Sequence, residues 1–317
     1  MILENLKQKI ISHGGFINTH SHLDRAYTAD YFSKDEQQAF LKEKWKLVDR
    51  IKKENTLYDF KNRINVALDE QKRFGVSDVL SFIDIDSVVG FSSIDAASMV
   101  RSERNDINLK IACQTLKGVL DKSEATLIES RLDEIDVIGS LPSADKNRQL
   151  EHLDRVMLWA KEANKLIHVH VDQLNLQSEK ETEWLARKTM KWGLEGKVTA
   201  VHGISISCHS KDYRNDLYKM CKDAGLSFIC CPSAWIDHPR TEIKSPTHNS
   251  LTPVDELLEN DICVAIGSDN IHDIYKPYCN GDMMFELRLL LEAFKIYDDD
   301  TLIRVAVDNG KKAIGIK

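Results

Sequence analysis

Short apolar runs, many of them β-branched, alternate along this chain with longer charged and amphipathic stretches. The runs fall at 15–22, 76–85, 109–118, 135–142, 166–173, 198–206, 226–232 and 262–269. Helix-like stretches lie between or after them at 36–53, 58–74, 147–164, 179–194, 212–224 and 282–297. Near-continuous apolar strands separated by helices of this length indicate a parallel sheet covered on both faces. Eight of them suggest closure into a (β/α)8 TIM barrel. An open doubly wound sheet shares the local pattern, but it gathers its site at one crevice, usually with a glycine-rich turn after the first strand. No Gly-x-Gly-x-x-Gly or P-loop pattern occurs here. The residues that could carry chemistry end several different runs, which is where a barrel builds its active site. With no long Pro/Gly/Ser linker, low-complexity tract or internal repeat, residues 1–317 read as a single barrel domain.

The most telling of these run ends is the first, Phe16-Ile-Asn-Thr-His-Ser-His-Leu-Asp-Arg25. Side chains at i and i+2 of a strand share a face, so His20 and His22 can grip one ion together. His170, His202 and Asp269 each end a later run. A third imidazole and a carboxylate complete a nitrogen and oxygen site of the kind a hydrolytic metal ion uses, with a position left for water. His168 lies two residues before His170 on the same face, and is read as a deeper supporting group.

Composition narrows the setting. The chain has 317 residues, 42% of them hydrophobic, ample for one large core. Its net charge of −7 lacks the basic stripe of a nucleic-acid footprint. The amino-terminal stretch carries charges throughout and does not read as a secretory signal. No stretch approaches the ~20 apolar residues of a membrane span. Seven cysteines, odd in number and without Cys-x-x-Cys pairs, suit buried thiols in a reducing cytoplasm. The expected partner is a small-molecule substrate, without nucleic acid or membrane, in a chain that could form homo-oligomers.

With these residues in view, the chain resembles the amidohydrolase superfamily, in its cytosine-deaminase-like branch, from about Gly15 to the C-terminus. His20-Ser-His22-Leu-Asp-Arg looks like the strand-1 motif in which both histidines bind the metal. Ile167-His-Val-His170-Val-Asp-Gln173 looks like the strand-5 motif with the third ligand at His170. Val198-Thr-Ala-Val-His202-Gly is similar to the strand-6 segment whose histidine lies beside the metal-bound water. Gly267-Ser-Asp269-Asn-Ile-His-Asp looks like the strand-8 motif, whose aspartate binds metal and takes a proton from that water. The resemblance implies one divalent ion, Zn²⁺ or Fe²⁺, on His20, His22, His170 and Asp269. Asp269, His202 and residue 173 would form the catalytic set. Binuclear relatives carry a lysine at the end of strand 4, where this chain reads Gly139-Ser-Leu-Pro142; Lys117, ending strand 3, is the one lysine near that place.

The departures carry information too. Deaminases of this branch usually hold a glutamate three residues after the strand-5 histidine; here it is Gln173, which cannot ionise. Asp172 is then a candidate to assist proton transfer. Where cytosine deaminases place a pyrimidine-reading glutamine, this chain aligns Leu116, with Gln114 close by. Other candidate substrate contacts are Arg25, Lys117, Asn270, His272 and Tyr275. Many relatives also wrap a small β-sandwich from both termini, and the 14 residues before the first run and the helical tail leave no room for one. His238 and His248 bracket a loop after strand 7 that reads as mobile. His13, His152 and His209 read as surface residues, and Cys230-Cys231 as core packing.

The expected activity is hydrolytic deamination of a small amino-substituted heterocycle by a metal-activated water. The alternative is hydrolysis of a cyclic or linear amide, toward which Gln173 shifts weight. A metal-binding pseudoenzyme ranks last, because it has no reason to keep four ligands and His202 together.

Overall fold

Eight parallel strands form one sheet in sequential order, as a computed structural model that describes residues 2–236 and 250–316 shows. The strands are β1 Phe16–Ser21, β2 Val76–Asp84, β3 Asn108–Gln114, β4 Val137–Ser140, β5 Leu166–Val171, β6 Val198–His202, β7 Ser227–Cys230 and β8 Cys263–Ile266. The fold is a (β/α)8 barrel, and every strand among the described residues belongs to it. Each apolar run contains its strand, except that β3 begins one residue before its run. The strands are buried along nearly their whole length because helices cover one face and side chains fill the barrel on the other. His238, His248 and the loop they bracket lie outside the described residues.

The seam between β8 and β1 carries little ladder pairing. β2 and β3 pair in register over seven residues, from Asp78 with Asn108 to Asp84 with Gln114. Across the closing seam there is a single bridge, Ser21 with Asp269. Polar side chains hold the rest. Thr19 Oγ1 donates to the Ile266 carbonyl at 2.7 Å, Asn18 Nδ2 donates to Ser268 Oγ at 2.9 Å, and Ser268 N donates to Asn18 Oδ1 at 3.0 Å. Gly267 permits this approach: a Cβ there would stand 2.7 Å from His20 Cβ and 2.9 Å from the His20 backbone. The carboxy-terminal helix Asn309–Ile314 docks beside the seam, with Gly310 against Ile17 and Asn309 Nδ2 donating to the Val264 carbonyl at 2.7 Å.

Five of the six expected helices form within a few residues of their expected bounds, from Leu57–Arg73 to Met283–Phe294. The stretch 36–53 is a correction: it is three short helices, Lys34–Gln37, Leu41–Leu47 and Asp49–Glu54. Phe40 is extended (φ −68°, ψ 152°) and breaks the first from the second. The broken path turns Leu41 and Trp45 into the cavity at the strand ends and buries Lys52 against Asp86 and Asp84. Helices over Ser92–Glu103 and Lys122–Glu129 stand outside the expected stretches.

The loop after β5 is held by the buried carboxyls of Asp172 and Glu181 and the half-buried one of Glu179. Asp172 Oδ1 and Oδ2 accept from the Glu181 and Thr182 amides at 2.7 and 3.1 Å, at the start of the helix Glu181–Trp192. Glu181 accepts from Ser143 Oγ at 2.8 Å, and Glu179 from Leu174 N at 2.7 Å and Ser205 Oγ at 2.6 Å. Burial, then the charges of Asp172 and Glu179, pushes Glu181 up to about 8; burial pushes Glu179 up to about 7. Carboxyls raised on folding favour the native state fully below their ordinary range, and that contribution is lost as pH rises through the raised values.

Two measurements follow. Tm should fall by several degrees between about pH 5 and about pH 9, and Glu181→Gln should flatten that decline. Gly267→Ala should destabilise the fold by roughly 1–3 kcal/mol in urea titration and weaken metal binding together with it, because the added methyl displaces His20.

Candidate metal centre

His20, His22, His170, His202 and Asp269 meet at the C-terminal mouth of the barrel, all buried. His20 and His22 close β1, His170 lies near the end of β5, His202 ends β6, and Asp269 follows β8. The ring centroids of His20 and His22 lie 5.0 Å apart, those of His20 and His170 4.8 Å, and those of His170 and His202 5.4 Å. Asp269 Oδ1 stands 3.5 Å from His20 Nε2 and 3.3 Å from His22 Nε2. Candidate ligand atoms in each of two sets, His20/His22/His170 and His20/His202/Asp269, fall within 4.8 Å of one another.

The donor set fits a cation. Both ring nitrogens of His20 and Nδ1 of His22 are buried without a hydrogen-bond partner. Buried polar atoms left in that state are costly unless something binds them. His170 Nδ1 faces the Ser140 carbonyl at 3.1 Å, so that nitrogen carries the proton and Nε2 offers its lone pair. Ser140 is held in turn: its Oγ bonds His152 Nε2 at 2.9 Å, and His152 Nδ1 bonds Asp145 Oδ2 at 2.7 Å. Burial lowers the pKa of His20, His22 and His170, which keeps their imidazoles neutral as ligands must be. Phe82, on β2, packs its ring 4.5 Å from His20 and 4.9 Å from His170, and so fixes both.

Asp269 is ionised. Burial works to raise its pKa, but Lys276, the His20 and His22 rings beside it, and His202 together hold it well below the usual range. Lys276 Nζ lies 3.2 Å from Asp269 Oδ2 and donates to Ser233 Oγ at 2.9 Å. Asp269 and His202 both take left-handed backbone angles (φ 59° and 75°), which non-glycine residues rarely adopt. The neighbours hold that strain in place: Asp269 N donates to the His20 carbonyl at 2.9 Å, and Thr252 Oγ1 donates to the His202 carbonyl at 2.5 Å.

Around this cluster lies a cleft of about 460 Å³, counting its open mouth. Of the sequence candidates, Arg25, Gln114, Leu116, Gln173, Asn270 and Tyr275 line it. Three do not. Lys117 pairs with Asp49 at 2.6 Å, and Asp172 spends both oxygens on the helix amides. His272 accepts from Thr28 N and Ala29 N through its carbonyl, tying the loop after β8 to the loop after β1. His168 bonds the Ala313 carbonyl at 2.9 Å, so it anchors the carboxy-terminal helix and supports no ligand by hydrogen bond. His152 and His209 are corrections to the surface reading. Both are buried, His152 behind Ser140 and His209 on the Glu179 carbonyl at 2.8 Å. His13 is exposed, against Asp308, and Cys230 and Cys231 are buried in the core.

Sequence reading missed Lys276, Phe82, Ser140, Leu41 and Trp45. A lysine in a loop, a phenylalanine in a strand and a broken amphipathic helix are ordinary features until the fold brings them to one place.

No family model matches the chain. It is 40% identical over 263 residues, 80% of its length and 94% of the other's, to an uncharacterized protein of Haemophilus influenzae. It is 26% identical over 278 residues to N-isopropylammelide isopropyl amidohydrolase of Pseudomonas sp. strain ADP, covering 85% of this chain and 66% of that enzyme. Among solved structures, 5-methylcytosine deaminase from Klebsiella pneumoniae, liganded with 5-fluorocytosine, superposes with a TM-score of 0.85 at 24% identity, covering 95% of this chain and 74% of that one. Atrazine chlorohydrolase from Arthrobacter aurescens TC1, complexed with zinc, superposes with a TM-score of 0.63 at 15% identity, covering 95% and 70%. The solved structures bear out the barrel. The chain is thus similar in sequence to an amidohydrolase and in fold to a deaminase, and it carries a buried histidine and aspartate cluster able to hold a metal ion.

Proposed function

We propose that the protein is a hydrolytic aminohydrolase of a small amino-substituted heterocycle. The observation that carries this reading is the cluster itself: three neutral imidazoles and an ionised carboxylate, with His202 beside them, at the base of a cleft lined by the side-chain amides of Gln114, Gln173 and Asn270. Such amides both donate and accept, as the edge of a planar nitrogen heterocycle requires. The names of the Pseudomonas and Klebsiella enzymes point the same way for those proteins.

His20, His22, His170 and Asp269 would hold one divalent ion, zinc or iron, which when bound supplies Lewis-acid charge and lowers the pKa of water toward ~7. Asp269 takes a proton from the attacking water as a carbon–oxygen bond forms at the ring carbon. His202 stabilises the charge that develops at that carbon's substituents. Asp269 then returns the proton to the departing nitrogen as the carbon–nitrogen bond breaks, releasing ammonia or an amine. Gln173 orients the ring and transfers no proton, because it cannot ionise. Leu41, Trp45, Leu141 and Ile204 give the cleft apolar walls that limit water around the reacting carbon.

Gln173 also favours a second reading, hydrolysis of a lactam or cyclic ureide, whose opening does not depend on an acid that protonates a ring nitrogen. One screen separates the two. The zinc- and iron-loaded protein is offered aminated pyrimidines, purines, pterins and triazines with ammonia as the readout, and lactams and ureides with ultraviolet loss. Ammonia from one ring class is the expected result; ring opening without ammonia would establish the second reading, and silence in both would overturn each.

On the reactive ring, Asp269→Asn should lower kcat by roughly 10²–10⁴-fold with the circular dichroism spectrum unchanged. Gln173→Ala should lower kcat/KM about tenfold or more, through lost orientation. An unchanged rate in the Gln173→Ala protein would remove that residue from the substrate contacts.

A further inference from the structure

Beside the metal cluster, on the closing seam, sits a pair of hydrogen-bond donors that the chemistry above does not use. Arg25 ends the short turn Leu23–Arg25 that follows His22, and its side chain is buried yet lines the cleft. Its Nε and Nη1 are buried and have no hydrogen-bond partner. The nearest carboxylate oxygens, Asp84 Oδ2 from Nη1 and Asp273 Oδ2 from Nε, both stand at 3.9 Å, beyond hydrogen-bonding reach. Tyr275, from the loop after β8, lies with its ring centroid 5.1 Å from the Arg25 guanidinium carbon. Tyr275 lines the same cleft, and its Oη is likewise buried without a partner.

The loop places these groups by design. Asp273 Oδ1 accepts from Tyr275 N at 2.8 Å and Lys276 N at 3.1 Å, and Oδ2 accepts from Asn270 Nδ2 at 2.5 Å. That turn directs Tyr275 toward Arg25 and Lys276 toward Asp269. Lys44, buried in the helix Leu41–Leu47, brings its Nζ within 5.8 Å of the Tyr275 ring. A guanidinium kept this dry with two unused N–H directions is built to receive an acceptor, since a planar fork of donors matches oxygen lone pairs. Asp84 and Asp273 already stand near its charge, so the acceptor need not be a full anion. A neutral ring carbonyl oxygen, or its ionised form, satisfies the geometry.

We infer that Arg25 and Tyr275 form an oxygen-reading subsite, so that the substrate is an oxo-substituted amino-heterocycle and not a ring bearing amino groups alone. This inference rests on the aminohydrolase reading of the same cleft. It places that specificity on the loops after β1 and β8. The subsite separates an oxo ring from the same ring without its oxygen: the second leaves the Arg25 N–H groups and the Tyr275 hydroxyl without acceptors in a buried place, which is costly.

The test uses rings without an amino group, so that nothing turns over. Isothermal titration of the zinc-loaded protein compares pyrimidin-2-one with pyrimidine, and 2-hydroxy-1,3,5-triazine with 1,3,5-triazine. The oxo member of one pair should bind roughly 10–100-fold more tightly. Arg25→Met should erase that difference by weakening the oxo ring alone, and Tyr275→Phe should weaken it by a smaller factor. Arg25→Lys, which keeps the charge and loses the fork, should fall between and guards against a Met variant that fails to fold. Equal binding of both members, equal loss on both in the Arg25 variants, or no binding of any of the four rings overturns the subsite. The aminohydrolase reading is judged separately by ammonia release, so a protein that releases ammonia and shows no oxo preference retains its function and loses this specificity.

Discussion

Closing the barrel between β8 and β1 is the constraint on which the rest depends. Three of the four proposed ligands, His20, His22 and Asp269, stand on that seam, and only one backbone bridge crosses it. The strands approach because Gly267 has no side chain to strike His20, and because Thr19, Asn18 and Ser268 replace ladder bonds with side-chain bonds. A seam made this way sets the distance between the His20 imidazole and the Asp269 carboxylate through the fold of the whole molecule. The cluster is therefore preorganised by barrel closure, as a site that must hold its groups within fractions of an ångström requires.

Electrostatics completes what closure begins. Burying three imidazoles keeps them neutral, and the burial that would neutralise Asp269 is outweighed by Lys276, 3.2 Å away, and by the histidines around it. The result is a buried set with lone pairs directed at one region and a carboxylate that stays charged. The same lysine makes Asp269 a weaker base than a carboxylate with hydrogen bonds from neutral groups alone. In the proposed reaction, that and the glutamine at position 173 would place more of the work on positioning and on charge stabilisation at the ring. Strain at His202 and Asp269 belongs to this design: both depart from ordinary backbone angles where the neighbouring strand and Thr252 hold them.

The barrel was legible because a strand buried on both faces must be apolar throughout, and eight such runs stand out between charged helices. The cluster was legible because each of its polar residues lies toward the end of such a run, where burial without a cation would be costly. Periodicity misled at 36–53, since a helical pattern reports a preferred face and says nothing about a break at Phe40 that folds the segment over the cleft. It misled at His152 and His209 as well: a lone histidine on a helix or in a loop gives no sign of the buried carbonyl or hydroxyl it will meet. Lys276 and Arg25 could be noticed as charges near the motifs, yet their roles depend on distances to Asp269, Asp84 and Asp273 that only the folded chain sets. Asp172 shows the reverse. Its place beside His170 suggested chemistry, and its carboxylate instead caps the next helix.

The central claim is that His20, His22, His170 and Asp269 form one preformed site for a single divalent ion. Elemental analysis of protein stripped with chelator and reloaded with zinc, with X-ray absorption at the zinc edge, tests it most directly. The account predicts one ion per chain in a nitrogen and oxygen environment dominated by imidazoles, with the His170→Ala protein losing the ion and the His168→Ala protein keeping it. Two ions per chain, a sulfur ligand, or a reloaded protein that holds no ion would contradict it.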